Sequence, residues 1–291
     1  VAPALRSADL KSALENGKHV YNCLPFAVNV QQAKAMRDKQ WERGVVGVAD
    51  ERRARIAASA SGVAFSGGVD STFVLHVARE ELGDAVVALT TTSASLPEHE
   101  LREARALAER CGAAHVIVPT DEVAIGDYAR NPANRCYFCK DNLYRICHAE
   151  ADARGIAAIL DGVNADDLGD FRPGLTAAEE QRVRHPLVEA GMSKRDVRLA
   201  SAALGLPTWD KPASPCLASR FPYGTAITHE RLAQVERAES GLRALGFREF
   251  RVRYEQDTAR LEIAAAEIAS CLDEARRDAV VAAVRGAGFR R

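Results

Sequence analysis

From residue 50 onward, short apolar runs alternate with longer stretches of helical periodicity. Residues 51–58 read as a helix and 62–65 as a strand. Residues 71–82 read as a second helix, because Phe73, Val74, Leu75, Val77 and Ala78 recur at helical spacing. A β-rich run covers 85–91. Residues 98–111 carry charges on one face and stop at Gly112, the pattern of a helix and its terminating glycine. Strand 114–118, helix 139–153 and strand 156–161 follow, and Ser193 is placed to cap a helix over 193–204. Such alternation predicts an α/β fold with a mostly parallel sheet covered on both faces. Ligands of such sheets bind where the strands end, so the loops after 65 and after 161 are expected to share one site.

Beyond residue 210 the texture changes. Lys211-Pro212-Ala213-Ser214-Pro215-Cys216 has too many prolines and small residues for a regular element and reads as a linker or site loop. A helix over 229–245, strands over 247–254 and 259–263 and a last helix over 266–285 predict a small α/β appendage. Residues 1–45 show weak apolar periodicity, with Trp41 and Cys23, and no recognisable start of an α/β unit. The expected organisation is an N-terminal extension over 1–49 with no role given to it, a main domain over 50–212 and a smaller domain over 213–291.

The bulk numbers change this picture little. With 47% hydrophobic and 27% charged residues, the chain has the make-up of a soluble globular protein. A net charge of −1 argues against a nucleic-acid or membrane-surface partner that binds by overall charge. No apolar run nears the roughly 20 residues that span a bilayer. No signal-peptide pattern is evident, which gives a cytoplasmic expectation.

The chemistry concentrates in two places. Ser66-Gly67-Gly68-Val69-Asp70-Ser71-Thr72 joins a strand to a helix. Two glycines let the backbone curl, and the turn aims N–H groups and the positive end of the helix at an anion. Hydroxyls of Ser66, Ser71 and Thr72 add donors, and Asp70 can hold Mg²⁺ or orient phosphates. No lysine follows the glycines, which excludes the Walker type, and the dinucleotide spacing is absent. The string is similar to the pyrophosphate loop of the ATP pyrophosphatases, which cleave ATP between the α and β phosphates.

The second place is cysteine-based. Of seven cysteines, Cys136 and Cys139 form a C-x-x-C, and Cys216 ends the Pro-rich loop. Two cysteines at that spacing can bind a metal or a cluster, or act as a redox pair. With no second C-x-x-C, a third ligand must come from afar, and Cys216 is the candidate. Three thiolates leave one iron of a [4Fe–4S] cluster without a protein ligand, where an extra sulfide can sit. Cys111, Cys147 and Cys271 fall within helical patterns and read as packed thiols.

The phosphate loop, Asn131-Pro132 with Arg135-Cys136-Tyr137-Phe138-Cys139-Lys140, Asp161-Gly162-Val163-Asn164-Ala165-Asp166-Asp167, and the 211–220 segment ending Leu217-Ala218-Ser219-Arg220 occur in this order. Together they resemble the LarE family of ATP-dependent sulfur transferases, over about residue 50 to the end. The resemblance implies a role in making a nickel-pincer nucleotide. The substrate would be pyridinium-3,5-biscarboxylic acid mononucleotide or its half-thiolated form. ATP with Mg²⁺ would adenylate a ring carboxylate, and sulfur would displace AMP. Family members with one such cysteine give up its own sulfur, whereas those with three resemble a cluster type. The complete set here favours the cluster, with sulfide or a cysteine desulfurase as the outside supply and a homo-oligomer as the assembled form.

Further roles follow. Gly162 is expected to let backbone approach the nucleotide. Arg251 and Arg253 alternate on a strand and face one side, which suits the substrate phosphate, and the resemblance adds Ser219 and Arg220. Glu239 is a candidate site carboxylate, Asp166 and Asp167 are candidate metal-linked groups, and Arg182 with Arg184 form a second alternating pair. Competing readings are a tRNA thiolase of the same superfamily, an ammonia-using synthetase and a non-catalytic adenine-nucleotide sensor.

Overall fold

The computed structural model describes residues 60–169 and 172–291. The expected extension over 1–49 and the helix over 51–58 lie outside the described residues. Four strands form one parallel sheet in the order β3-β2-β1-β4: β1 (Ser61–Ala64), β2 (Val86–Thr92), β3 (Ala114–Pro119) and β4 (Ala158–Leu160). Val63 sits between Ala88 of β2 and Leu160 of β4, and Leu89 pairs with Val116 of β3. Helices α1 (Val69–Leu82), α2 (Glu98–Arg110) and α3 (Arg135–Arg154) make the crossovers. Helices α4 (Pro173–Glu180) and α5 (Lys194–Ala203) follow the sheet. The α/β reading therefore holds, and most elements agree with it to within a residue or two. Ser193 caps α5 in a reciprocal box with Asp196.

The smaller C-terminal unit contains α6 (His229–Ala244), the antiparallel pair β5 (Phe250–Glu255) and β6 (Thr258–Ile263), and α7 (Glu274–Gly286). The sequence predicts one last helix over 266–285. The structure breaks it at Asp273, whose backbone is extended and whose carboxylate accepts the Arg276 N–H. An aspartate that caps a helix has to leave the preceding one. The strand expected over 247–254 starts only at Phe250, because its partner β6 ends opposite that residue, at Ile263.

One apolar cluster lies between the sheet, α1, α2 and α5 and includes Val63, Leu75, Ala88 and Val197. A second centres on Leu217, Leu232, Leu242, Val252 and Val284. It also takes in Tyr128, with Val123, Ile125, Phe138, Cys139 and Cys216 packed against it, so segment 123–139 packs on the C-terminal unit. No helix among the described residues is long and apolar enough to cross a membrane.

Candidate active site

The phosphate loop leaves β1 at its carboxyl end. Gly67 takes φ +71°, and a Cβ there would lie 3.1 Å from Ala104 of α2, so only glycine fits both the turn and the packing. Gly68 forms the N-terminal boundary of α1 without a side-chain cap, which leaves the first N–H groups of the helix facing outward. The Ser66 and Ser71 hydroxyls lie 3.1 Å apart, and Ser71 Oγ reaches the Gly68 carbonyl at 3.3 Å. Thr72 is fully buried with no partner for Oγ1, so the structure separates it from the two serines. Upstream, the Thr90 hydroxyl lies 2.6 Å from the Phe65 carbonyl and 2.8 Å from His115 Nε2. A carbonyl only accepts, so the hydroxyl donates its one proton there and the imidazole donates from Nε2. Burial first, then the charge of Arg105, lowers the His115 pKa and favours that neutral form.

Asp70 lies in the first turn of α1 and is held from two other segments. The Lys194 ammonium contacts Oδ2, and Asn164 Nδ2 donates to Oδ1 at 3.4 Å. Gly162 packs against the same turn. A Cβ there would lie 2.8 Å from the Ser71 nitrogen and 3.0 Å from Asp70 Cβ, so its bareness admits the first turn of α1. Asp166 and Asp167 serve the loop itself: Asp166 accepts the Lys194 N–H at 2.9 Å and Asp167 accepts that of Asn164 at 3.0 Å. Buried Asp161 accepts from Tyr144 at 2.8 Å, from the Val163 N–H at 3.0 Å and from His185 at 2.7 Å. Burial pushes the Asp161 pKa up, but the His185 bond and charge outweigh it and hold it below the ordinary value. That bond raises His185 in turn.

The cysteine side is assembled by long-range side-chain bonds. Helix α3 begins at Arg135, not at Cys139, so Cys136 and Cys139 sit one turn apart on one face. Buried Asn131, at φ 56°, donates to the carbonyls of Pro222 and Thr225, and its Oδ1 accepts from Arg135 Nη1. The same Arg135 nitrogen donates to the Ala218 carbonyl at 3.0 Å. These bonds fasten the C-x-x-C segment to the Cys216 segment. Cys136 is exposed, whereas Cys139 and Cys216 are half-buried. Burial, then the proximity of Cys216, pushes the Cys139 thiol up to about 12. Burial also raises Cys216, against the pull of Arg135. Without a metal the buried thiols thus keep their protons. Among the described residues, no three His, Cys, Asp or Glu side chains converge on one point as a single ion requires. Cluster ligands sit on different irons and need no such convergence, and three thiols beside two arginines suit a cluster's sulfur chemistry and charge.

Arg220 is buried and committed. It donates to Glu239 through Nε at 2.7 Å and Nη2 at 3.0 Å, and through Nη1 to the Pro215 carbonyl at 2.9 Å and Ser219 Oγ at 2.9 Å. Its guanidinium holds the Cys216 loop, and Glu239 also accepts the Val252 N–H at 3.0 Å. Arg251 and Arg253 do share one face of β5, opposite buried Val252 and Tyr254. Arg253 donates to the Ser219 carbonyl at 2.8 Å and to Glu262 at 2.9 Å. Arg184 pairs with Glu189 at the surface.

The asparagine synthase family model matches residues 49–169. An uncharacterized protein of Synechocystis sp. is 48% identical over 227 residues, 78% of this chain and 85% of that protein. The pyridinium-3,5-bisthiocarboxylic acid mononucleotide synthase of Lactiplantibacillus plantarum is 41% identical over 229 residues, 78% of this chain and 82% of that protein. The chain belongs to the LarE family. The tRNA-specific 2-thiouridylase of Azorhizobium caulinodans is 30% identical over 220 residues, 62% of this chain and 55% of that protein.

Within this LarE-family chain the structure adds three groups that sequence reasoning missed: Lys194 on Asp70, Asn131 with Arg135 between the cysteine segments, and Lys211 with Glu100. The Lys211 ammonium donates to the Gly67 carbonyl at 3.2 Å and pairs with Glu100 at 2.7 Å and Glu103 at 2.8 Å. Burial opposes the Glu100 charge, yet bonds from His99, Lys211 and Ser214 hold its pKa down at about 2. Asn131 stands just before the C-x-x-C and Lys211 opens the Pro-rich segment, which is the signal the sequence offers. The Pro222 and Thr225 carbonyls that Asn131 reaches, and the partners of Lys211, are too distant in sequence to be read.

Proposed function

We propose that the chain is an ATP-dependent sulfur transferase acting on pyridinium-3,5-biscarboxylic acid mononucleotide. One observation carries this reading: segment 211–220 touches the phosphate loop through Lys211 and brings Cys216 beside Cys139 at its other end. An ATP-cleaving loop and a sulfur centre then share one connecting element. The Ser66–Ser71 cradle with its helix N-terminus takes the β and γ phosphates, and Asp70 would hold the Mg²⁺ that neutralises them. A substrate carboxylate oxygen attacks the α phosphorus, and pyrophosphate leaves. The adenylate is needed because a bare carboxylate offers no leaving group. A sulfur nucleophile then attacks the carbonyl carbon and expels AMP, which leaves a thiocarboxylate. Ser219, Arg251 and Arg253 line the face offered to the substrate phosphate. Cys136, Cys139 and Cys216 would hold a [4Fe–4S] cluster, which when bound supplies a transferable sulfide. Sulfide, or a cysteine desulfurase together with a two-electron reductant such as a thiol, would renew it, and the working form would be a homo-oligomer.

The test is anaerobic purification with iron and sulfide analysis, followed by turnover. About four irons per chain are expected, with serine at Cys136, Cys139 or Cys216 lowering that content. Asp70→Ala should abolish substrate-dependent release of pyrophosphate and AMP. If iron-free protein performs one turnover and loses one H₂S from Cys216, while serine at Cys136 or Cys139 leaves transfer intact, Cys216 itself is the donor. ADP and inorganic phosphate as products would overturn the reading altogether.

A further inference from the structure

Lys211 starts the loop that ends at Cys216, yet its ammonium points back to the phosphate loop and donates to the Gly67 carbonyl at 3.2 Å. It is no free surface amine: its side chain is 16% exposed and is fixed by Glu100 and Glu103. Its backbone is held as well, with the carbonyl accepting from Arg198 at 2.8 Å and the N–H donating to Thr208 at 3.0 Å. Glu100 and Glu103 therefore grip the start of the sulfur-bearing loop, and one ammonium carries that grip to the phosphate loop.

What the ammonium holds there matters. In a trans peptide the carbonyl and the next N–H point in opposite directions, and the described residues contain no cis peptide. With the Gly67 carbonyl turned to Lys211, the Gly68 N–H turns to the open side. Its only bond there is a long one to Ser66 Oγ, at 3.4 Å. That N–H is available to an anion. Gly67 lies at φ +71° with no side chain to fix the peptide that follows it, so an outside contact has to set its orientation.

We propose that Lys211, held by Glu100, is a positioning residue that couples the two loops. It presents the Gly68 N–H to phosphate when the Cys216 loop is in place, and an anion in the cradle in turn fixes the start of that loop. Coupling of this kind acts equally in both directions. The proposal rests on the ATP half of the functional reading and extends it, since a bound nucleotide and a fixed sulfur loop each favour the other.

Hydrogen exchange of the full chain, with saturating Mg²⁺ and α,β-methylene-ATP, tests this. In the wild type the analogue should slow exchange at the amides of Ala213, Ser214 and Cys216 by about fivefold or more, the lower end of ordinary coupling between sites. In the Lys211→Met, Glu100→Gln double variant the analogue should still bind, by calorimetry, without that slowing. Both charges leave together, so neither remains buried alone. Lys211→Arg keeps the cation and should keep the slowing. Equal slowing in the double variant, or a wild type that binds the analogue without slowing, overturns the coupling while leaving the ATP reading standing. A wild type that binds no analogue overturns both.

Discussion

The phosphate loop and the cysteine region lie at two ends of one connecting segment and are built on different principles. The phosphate loop is local: Ser66, Gly67, Gly68 and Ser71 meet through backbone geometry and neighbouring hydroxyls. The cysteine region is an assembly. Cys136 and Cys139 ride on α3, Cys216 arrives from the C-terminal unit, and buried Asn131, Arg135, Arg220 and Glu239 hold the pieces together. A cradle of backbone donors tolerates many side chains nearby and depends on glycines. An assembly held by buried charges depends on every partner.

That difference is sharpest at Arg220, where the largest effect is expected. Both partners of its ion pair are about 95% buried. Arg220→Met alone leaves Glu239 charged and unpaired, at a cost of about 3–5 kcal/mol, whereas adding Glu239→Gln should recover much of it. Thermal unfolding of the single and double variants checks this. Equal melting temperatures would mean that the pair does not hold the region.

Arg253 tests the substrate side. Arg253→Ala should raise the KM for the mononucleotide by the equivalent of about 1.5–3 kcal/mol, the worth of a charge-assisted bond, and leave ATP affinity unchanged. Kinetics indistinguishable from wild type would return the arginine to its structural bonds with Ser219 and Glu262.

The local region has its own weak point. Gly162→Ala places a methyl group against the Ser71 nitrogen and Asp70, where backbone cannot yield as a flexible side chain would. About 1–3 kcal/mol of destabilisation follows, together with weaker nucleotide binding. A stable variant with unchanged ATP affinity would contradict the packing account.

The smallest effect is on pH. The bond to Asp161 raises His185 above its ordinary 6.5. The stability it contributes is complete below that ordinary value and fades as pH rises through the raised one. Depressed Asp161 loses its share only in acid, as pH falls through its own lowered pKa. Unfolding of wild type and His185→Asn should therefore differ most near about pH 5 to 6 and converge at higher pH. A difference that grows with pH would mean the imidazole is neutral in the fold.

The same contrast governs what the sequence made legible. Strands, helices and the phosphate loop follow from period, glycines and caps within a few residues of each other, and they were readable. The Ser193 cap is such a case, and the Asp273 cap carried a comparable local signal that the periodicity of 266–285 overshadowed. Lys194 reaches Asp70 across 124 residues and Lys211 reaches Gly67 across 144. No local pattern announces such contacts, because the fold brings the partners together. Arg220 illustrates a subtler limit: nothing in the sequence beside a candidate nucleophile reveals that the arginine has a buried partner, Glu239. Gly162 is similar, since a glycine after a strand gives no hint whether ligand or helix will occupy the space.

The central claim is that ATP cleavage in the first region drives sulfur transfer from the second. Its most direct test is an anaerobic reaction of the purified chain with Mg²⁺, ATP and pyridinium-3,5-biscarboxylic acid mononucleotide, followed by mass analysis of the small molecules and of the intact chain. The account predicts AMP and pyrophosphate in equal amounts, a product in which one carboxylate oxygen has been exchanged for sulfur, and a polypeptide of unchanged mass. ADP with inorganic phosphate, or AMP and pyrophosphate with no sulfur in the product, would contradict it.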